Sequence, residues 1–270
     1  MGKIEGFEEC RKELLGRAEP SHVTVDYLLD GADQIIVMAP QMKNYLQRKS
    51  NRATVVLIPH GCDDYGITPD EVDTIGSTIK VASFGIALPH KGLIETAMAV
   101  RDLNLMGHPA TLELFAAVND GDVISSKYAE RLEYLIDKYQ MNFITWHQDF
   151  LPKKDIVEGM HEADIIVLPY HEIRYQLGIS GAIRTSMGSM RPIIMTDNPY
   201  FSDLRNLLIT ISDEHISFSK KFAQIIYETF IDLELRNKIQ QDIRQYVTKH
   251  SWDNIAKQYV RAWKKLVGRK

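Results

Sequence analysis

Short apolar runs alternate with longer amphipathic stretches through the middle of this chain. Six runs rich in β-branched residues are too short for typical helices and are predicted as strands. They cover residues 79–84, 111–118, 142–146, 164–168, 192–196 and 207–211. Between them apolar residues recur at helical spacing, as at Leu93, Ala97 and Val100. The alternation predicts an α/β fold: a Rossmann-like parallel sheet with right-handed crossovers and helices on both faces.

The two ends of the chain follow a different pattern. Ahead of the main sheet we predict a helix over residues 4–17, a strand over 33–38, a helix over 40–48 and a strand over 54–58. This is less than a Rossmann-like domain usually contains. We therefore expect four regions: a partial α/β segment (1–62), a Gly- and Pro-containing acidic linker (63–78), a complete Rossmann-like domain (79–250) and a C-terminal helix (251–270).

The C-terminal helix is predicted to begin after Ser251, which suits an N-cap. An apolar stripe follows it, made of Trp252, Ile255, Tyr259, Trp263 and Leu266. We expect this stripe to pack on its own domain. The alternatives are a partner chain or a membrane surface, toward which the basic C-terminus would be weakly attracted.

Composition narrows the functional classes. The chain has 270 residues, 44% of them hydrophobic, and a formal net charge of −4. It therefore lacks the overall basic charge typical of nucleic-acid binders, and we expect no nucleic-acid partner. Two cysteines cannot form a disulfide framework. With neither a signal-peptide pattern nor an apolar spanning run, we expect a cytoplasmic protein, alternatively one peripheral to the inner face of a membrane.

A Gly- and Ser-rich stretch follows the apolar strand that ends in Leu168-Pro169-Tyr170. Its sequence Gly178-Ile179-Ser180-Gly181 opens a helix. The first N–H groups of a helix have no partner within it, so such a helix start can hold phosphate. Ligands of open α/β sheets also bind at the carboxyl ends of the strands. The stretch therefore indicates a ligand that carries phosphate.

Five motifs occur in an order that carries a family resemblance. They lie at residues 32–37, 56–63, 84–92, 163–169 and 191–194. From residue 32 to the C-terminus the chain resembles the nucleotide-sugar glycosyltransferases of GT-B fold, specifically the large retaining group called family 4. The resemblance implies two Rossmann-like domains facing across a cleft, with the donor nucleotide held by the C-terminal one. It also implies that the N-terminal domain is mostly missing, so that the sequence is a fragment or a partner chain supplies that half.

The resemblance assigns candidate donor-site residues around the first strand of the main sheet. Lys91 matches the family lysine that contacts the donor pyrophosphate, where a cation would stabilise the departing nucleoside diphosphate. Gly85 lies in the same loop region. The cation often found after that glycine is replaced by Ile86. His90, Arg174 and Arg184 are further candidates, the two arginines as substitutes for the lost cation.

The resemblance also exposes a departure in the Gly- and Ser-rich stretch. The family places two glutamates there, at the positions held here by Leu177 and Thr185, and a glycine where this chain has Met190. What remains looks like the Ser-Gly variant of the superfamily. It implies donor contacts from Gly178, Ile179, Ser180, Gly181 and Thr185. His60 lies in the motif at residues 56–63, called the linker motif, where the family usually has an asparagine, and it is a candidate polar ligand.

We therefore predict a glycosyltransferase that moves a sugar from a nucleotide-diphosphate sugar to the hydroxyl of a carbohydrate or glycolipid acceptor, with retention. We expect no cofactor and no metal, since the histidines lack ligand spacing. One alternative is a non-catalytic nucleotide-sugar-binding or scaffold subunit, favoured by the two missing glutamates. Another is a different enzyme on the same fold, such as a sugar-nucleotide epimerase.

Overall fold

The computed structural model describes residues 31–50, 52–172 and 178–268. Its strands are β1 (Gln34–Val37), β2 (Thr54–Leu57), β3 (Ile79–Ile86), β4 (Ala110–Ala117), β5 (Ile144–His147), β6 (Ile165–Leu168), β7 (Ile193–Thr196) and β8 (Ile209–Ile211). Its helices are α1 (Pro40–Lys49), α2 (Leu93–Leu105), α3 (Val123–Lys138), α4 (Lys153–His161), α5 (Gly181–Met187), α6 (Asp213–Ile216), α7 (Ser219–Ile231), α8 (Leu233–Lys249) and α9 (Trp252–Val267).

Six of these strands form one parallel sheet in the order β5-β4-β3-β6-β7-β8. Every residue of β6 and β7 is buried, as expected for strands covered on both faces. The predicted α/β class is confirmed, and the predicted strands differ from the observed ones by up to two residues at either end. Strand β8 begins later than predicted because Leu207 and Leu208 donate backbone hydrogen bonds to Leu204 O and form a turn.

The sheet separates two hydrophobic cores. Alternate residues of β6 point to opposite faces. Ile165 and Val167 lie in the core with α2, α3 and α7. Ile166 and Leu168 lie in the core with α4, α5 and α8. The predicted arrangement of helices on both faces is therefore confirmed.

A second, two-stranded sheet is formed by β1 and β2, which are parallel. Helix α1 packs on it through a small cluster of Val37, Leu46 and Val55. The predicted strands and the helix over 40–48 are confirmed. The predicted helix over 4–17 lies outside the described residues.

Residues 63–78 contain no helix or strand but are fastened along α8. The side chain of Asn237 accepts a hydrogen bond from Val72 N and donates one to Val72 O, each 2.9 Å long. Arg244 Nη1 donates to Asp64 Oδ1 at 2.8 Å. These contacts fix the course of the segment from the small sheet to the large one.

Helix α9 returns to the small sheet. Ile255 and Ala262 pack against Ile58, whereas Trp252 and Trp263 are 43% and 54% exposed. The predicted stripe therefore packs on its own chain only in part: Ile255 is buried and Tyr259 packs beside it, Ala262 joins them from outside the predicted stripe, and Trp263 is mostly exposed. Ser251 holds the N-cap position, but its side chain makes no capping hydrogen bond. Among the described residues, no helix has the length and apolar character needed to cross a membrane.

Candidate functional site

A cleft of about 540 Å³ opens at the carboxyl ends of β3, β4 and β5. Ligands of open α/β sheets bind at this edge, and the volume lies within the range of small-molecule sites. The lining comes from residues 60–63, the ends of β3 and β4, the loops after β3 and β5, helices α4 and α5, and the first residue of α9. Its members are His60, Gly61, Asp63, Phe84, Gly85, Ile86, Leu88, His90, Lys91, Phe115, Ala117, Asp149, Phe150, Leu151, Lys153, Ile156, Gly181, Ala182, Arg184, Thr185 and Trp252.

Lys91 ends a 3₁₀ turn, Pro89–Lys91, just before α2. Its Nζ lies 3.9 Å from the centroid of the buried Tyr170 ring. A Cβ built on Gly85 would lie 3.5 Å from Lys91 Cδ, an ordinary contact, so the stem of Lys91 runs beside Gly85. Within the described part of the chain, no carboxylate lies within ion-pair distance of Lys91 Nζ. The ammonium group is thus held in place by an aromatic face and can still meet an anion.

The turn that carries Lys91 depends on Gly92. This residue has φ +67°, in the left-handed region. A Cβ at Gly92 would lie 2.3 Å from Pro169 O, which is far inside contact distance. The turn and the end of β6 can therefore approach closely only because residue 92 is glycine. By contrast, the predicted Gly178 and Gly181 lack a positive φ, and a Cβ at either would have about 3.7 Å of space.

His90 and His171 join the two loops behind Lys91. His171 N donates to His90 O at 2.9 Å. The His90 ring meets Tyr170 edge to face, with centroids 6.0 Å apart. His171 Nε2 lies 3.2 Å from Glu95 Oε1, and both side chains are buried. Burial lowers the pKa of His171, but the nearby negative charges, first that of Glu95, outweigh it, so that the net shift of the pKa is upward.

Only part of the Ser-Gly loop, residues 178–181 and the helix start that follows, lines the cleft. Gly181 and Thr185 are among the lining residues, whereas Gly178, Ile179 and Ser180 are not. Ser180 Oγ is buried and has no hydrogen-bond partner among the described residues. Thr185 Oγ1 donates to Gly181 O at 3.4 Å, so the hydroxyl closes the first turn of α5.

Arg184 lines the cleft but is already paired. Its Nη2 donates to Asp203 Oδ2 and its Nη1 donates to Ser180 O at 3.2 Å. Because the carboxylate of Asp203 neutralises this buried guanidinium, Arg184 is poorly suited to replace the cation missing at Ile86. Arg174 and Leu177 lie outside the described residues.

Comparison with solved structures gives the fold. Sucrose-phosphate synthase from Thermosynechococcus elongatus matches with a TM-score of 0.75 and 18% identity, over 96% of this chain and 64% of that one. Anabaena HepE, solved with UDP and glucose, matches with a TM-score of 0.67 and 16% identity, over 90% of this chain and 66% of that one. The chain has the GT-B fold. It spans 64–66% of the length of these two proteins.

A third GT-B match is the UDP-forming trehalose-phosphate synthase of Burkholderia vietnamiensis, with a TM-score of 0.71 and 12% identity over 93% of this chain and 66% of that one. No protein-family sequence model matches the chain. No curated protein sequence matches it either. Identities this low show a shared GT-B fold and do not transfer an activity.

Several lining residues of the GT-B cleft were not predicted from the sequence. Phe115, at the end of β4, stacks on His147 with ring centroids 4.9 Å apart. Trp252 packs over Gly61 and meets the His60 ring at 5.2 Å. Lys153 Nζ pairs with Asp63 Oδ2 at 3.3 Å. The only sequence signal for these residues was their position next to a strand end or linker, which many core residues share.

His60 is a further predicted residue that lines the cleft. His60 Nε2 lies 3.7 Å from a Cβ built on Gly181, so the linker motif and the Ser-Gly loop meet across the cleft. His60 Nδ1 lies 2.6 Å from Gly61 O. Within the described ranges, no three His, Cys, Asp or Glu side chains come together as a metal site would require.

Proposed function

We propose that the cleft binds a nucleotide-diphosphate sugar and that the chain is the donor-binding part of a retaining glycosyltransferase. The observation that carries the proposal is the placement of Lys91. Its ammonium group lies over Tyr170, faces a cleft at the carboxyl edge of a parallel sheet, and has no carboxylate partner in the described chain. A nucleoside diphosphate leaving group gains negative charge, which a cation held in place would stabilise.

The shape of the cleft supports a ligand with an apolar or aromatic part as well as phosphate. Phe115, Phe150 and Trp252 supply aromatic surface, and Phe150 is 69% exposed. Bases and sugars both pack well on aromatic faces. HepE has been solved with UDP-glucose bound, which makes a uridine diphosphate sugar the first donor to test.

The acceptor side is the other half of the proposal. We propose a carbohydrate or glycolipid hydroxyl as acceptor, bound with the help of a partner chain that supplies the N-terminal half. No cofactor is needed for this reaction, since the nucleotide sugar is itself the activated donor. Retention follows from the family-4 resemblance alone.

The experiment is calorimetric titration of the chain with UDP, GDP and UDP-glucose. Lys91→Ala should weaken UDP binding by about 10- to 100-fold, the value of a hydrogen bond to a charged group. Lys80→Ala is the matched control, because Lys80 is exposed at the opposite end of β3. Absence of binding to every nucleotide, or equal losses in the two variants, would refute the proposal.

One observation favours a non-catalytic donor-binding subunit as second candidate. Thr185 stands where the resemblance expects a carboxylate, and its hydroxyl is engaged by Gly181 O. Incubation with UDP-glucose and an N-terminal half from a related GT-B enzyme separates the two functions. Released UDP or a glycosylated acceptor supports the transferase; tight binding without turnover supports the subunit.

A further inference from the structure

A buried carboxylate–imidazole pair lies directly behind the turn that carries Lys91. Glu95 is in the first turn of α2, one helical turn after Lys91, and His171 is three residues beyond the end of β6. Their side chains are 2% and 6% exposed and their nearest atoms are 3.2 Å apart. Burying two such groups is costly unless they are paired, so the pair holds the two loops in a defined relation.

The pair belongs to a larger contact between these loops. His171 N donates to His90 O, and Gly92 lies against Pro169 O. Between these two contacts, Tyr170 presents its ring to Lys91 Nζ. The position of the Lys91 ammonium therefore depends on how firmly residues 169–171 and 89–92 are held together.

We infer that Glu95 and His171 are positioning residues, which hold Lys91 over Tyr170 and so set the affinity of the cleft for the diphosphate of the donor. This inference rests on the proposed function. Neither residue is among those that line the cleft. Their effect on the donor would therefore pass through the turn.

The charges around His171 give the inference a pH dependence. Glu95 acts on it from α2 and Asp213 from α6, while Glu172, its neighbour in the chain, acts on Asp213. When His171 is protonated, it neutralises Glu95. When His171 loses its proton, the ion pair with Glu95 is lost, and the two loops that place Lys91 over Tyr170 are held together less firmly.

The test compares Glu95→Gln and His171→Gln with the wild type. Glutamine keeps a hydrogen-bonding group at each position but removes the charge. We expect UDP binding to weaken about tenfold in each variant, because loss of the buried ion pair loosens the turn that carries Lys91, with uridine binding unchanged. In a Lys91→Ala background the same substitutions should add less than about twofold.

The matched control is Asp164→Asn, which breaks the partly buried Arg236–Asp164 pair at the other end of β6. It should lower stability without changing the ratio of UDP to uridine affinity. Wild-type UDP affinity should fall as the pH rises above the ordinary His pKa. In Glu95→Gln, the ratio of UDP affinity to uridine affinity should not vary with pH. Additive effects of Glu95→Gln and Lys91→Ala would overturn the inference.

A second measurement does not need a nucleotide. The rate at which an amine-acylating reagent labels Lys91, followed by peptide mass spectrometry, should change at least about threefold in Glu95→Gln and not in Asp164→Asn. A changed rate without UDP binding would refute the proposed function but keep the positioning role. An unchanged rate would refute the positioning role even if UDP binds.

Discussion

Gly92→Ala is the sharpest test of how the Lys91 turn is built. Gly92 has φ +67°, and an added Cβ would lie 2.3 Å from Pro169 O and 2.8 Å from Pro169 Cγ. The left-handed conformation alone costs an alanine about 1–2 kcal/mol. The nearest clash is with backbone and cannot be relieved by a side-chain rotation, so we expect a total loss of about 2–3 kcal/mol.

The clash should also be seen in binding. To remove it, the turn must move away from the end of β6, and Lys91 then leaves its place over Tyr170. We expect UDP affinity to fall about tenfold, which is 1.4 kcal/mol, with a smaller change for uridine. Urea unfolding gives the stability change, and calorimetric titration gives the two affinities.

Gly85→Ala is the matched control, since its Cβ would meet Lys91 Cδ at 3.5 Å and Gly85 has no positive φ. Its stability should stay within about 0.5 kcal/mol of the wild type. If Gly92→Ala proved as stable as Gly85→Ala, the steric reasoning about this turn would be wrong.

Three further predictions concern buried groups. Met190→Gly should relieve the left-handed backbone at this residue (φ 58°), which stabilises the fold by about 1–2 kcal/mol. It also removes a fully buried side chain, which costs about 2–5 kcal/mol. We therefore expect a net loss of stability in urea unfolding, and a more stable variant would contradict this. Burial raises the pKa of Cys62 to about 12, so iodoacetamide at about pH 8 should label this thiol only after unfolding. Rapid labelling of the folded protein would show that the thiol is not buried. The raised pKa of His171 means that its stabilisation is full below the ordinary value of 6.5 and is lost as pH rises through the folded pKa. The stability difference between wild type and Glu95→Gln should therefore shrink from about pH 6 to pH 9, and a difference that does not vary with pH would exclude the ion pair.

The fold was predictable because the strands are short apolar runs with clear breaks. Fully buried β6 and β7 are uninterrupted hydrophobic sequences, and a parallel sheet covered on both faces follows from them. The packing of α9 was not predictable. Helical periodicity places Trp252, Ile255 and Trp263 near one another, but which part of a wide apolar arc is buried depends on the partner surface, here the small sheet.

The same limit applies to the candidate site. Lys91 and Gly181 could be found from motifs, and both line the cleft. The pairing of Arg184 with Asp203 joins residues 19 positions apart, with strand β7 between them, and no local pattern encodes it. Met190 is an intermediate case: the resemblance expects glycine there, and the left-handed backbone at this residue gives the physical reason.

Most of the positive charge in the cleft is already neutralised by carboxylates. Of the cations among its described lining residues, Lys153 is paired with Asp63 and Arg184 with Asp203, while Lys91 faces only an aromatic ring. A diphosphate carries more than one negative charge, so Lys91 would balance only part of it. If the proposed function is correct, the remaining positive charge must come from a partner chain that closes the cleft, since charge held in place stabilises a leaving diphosphate.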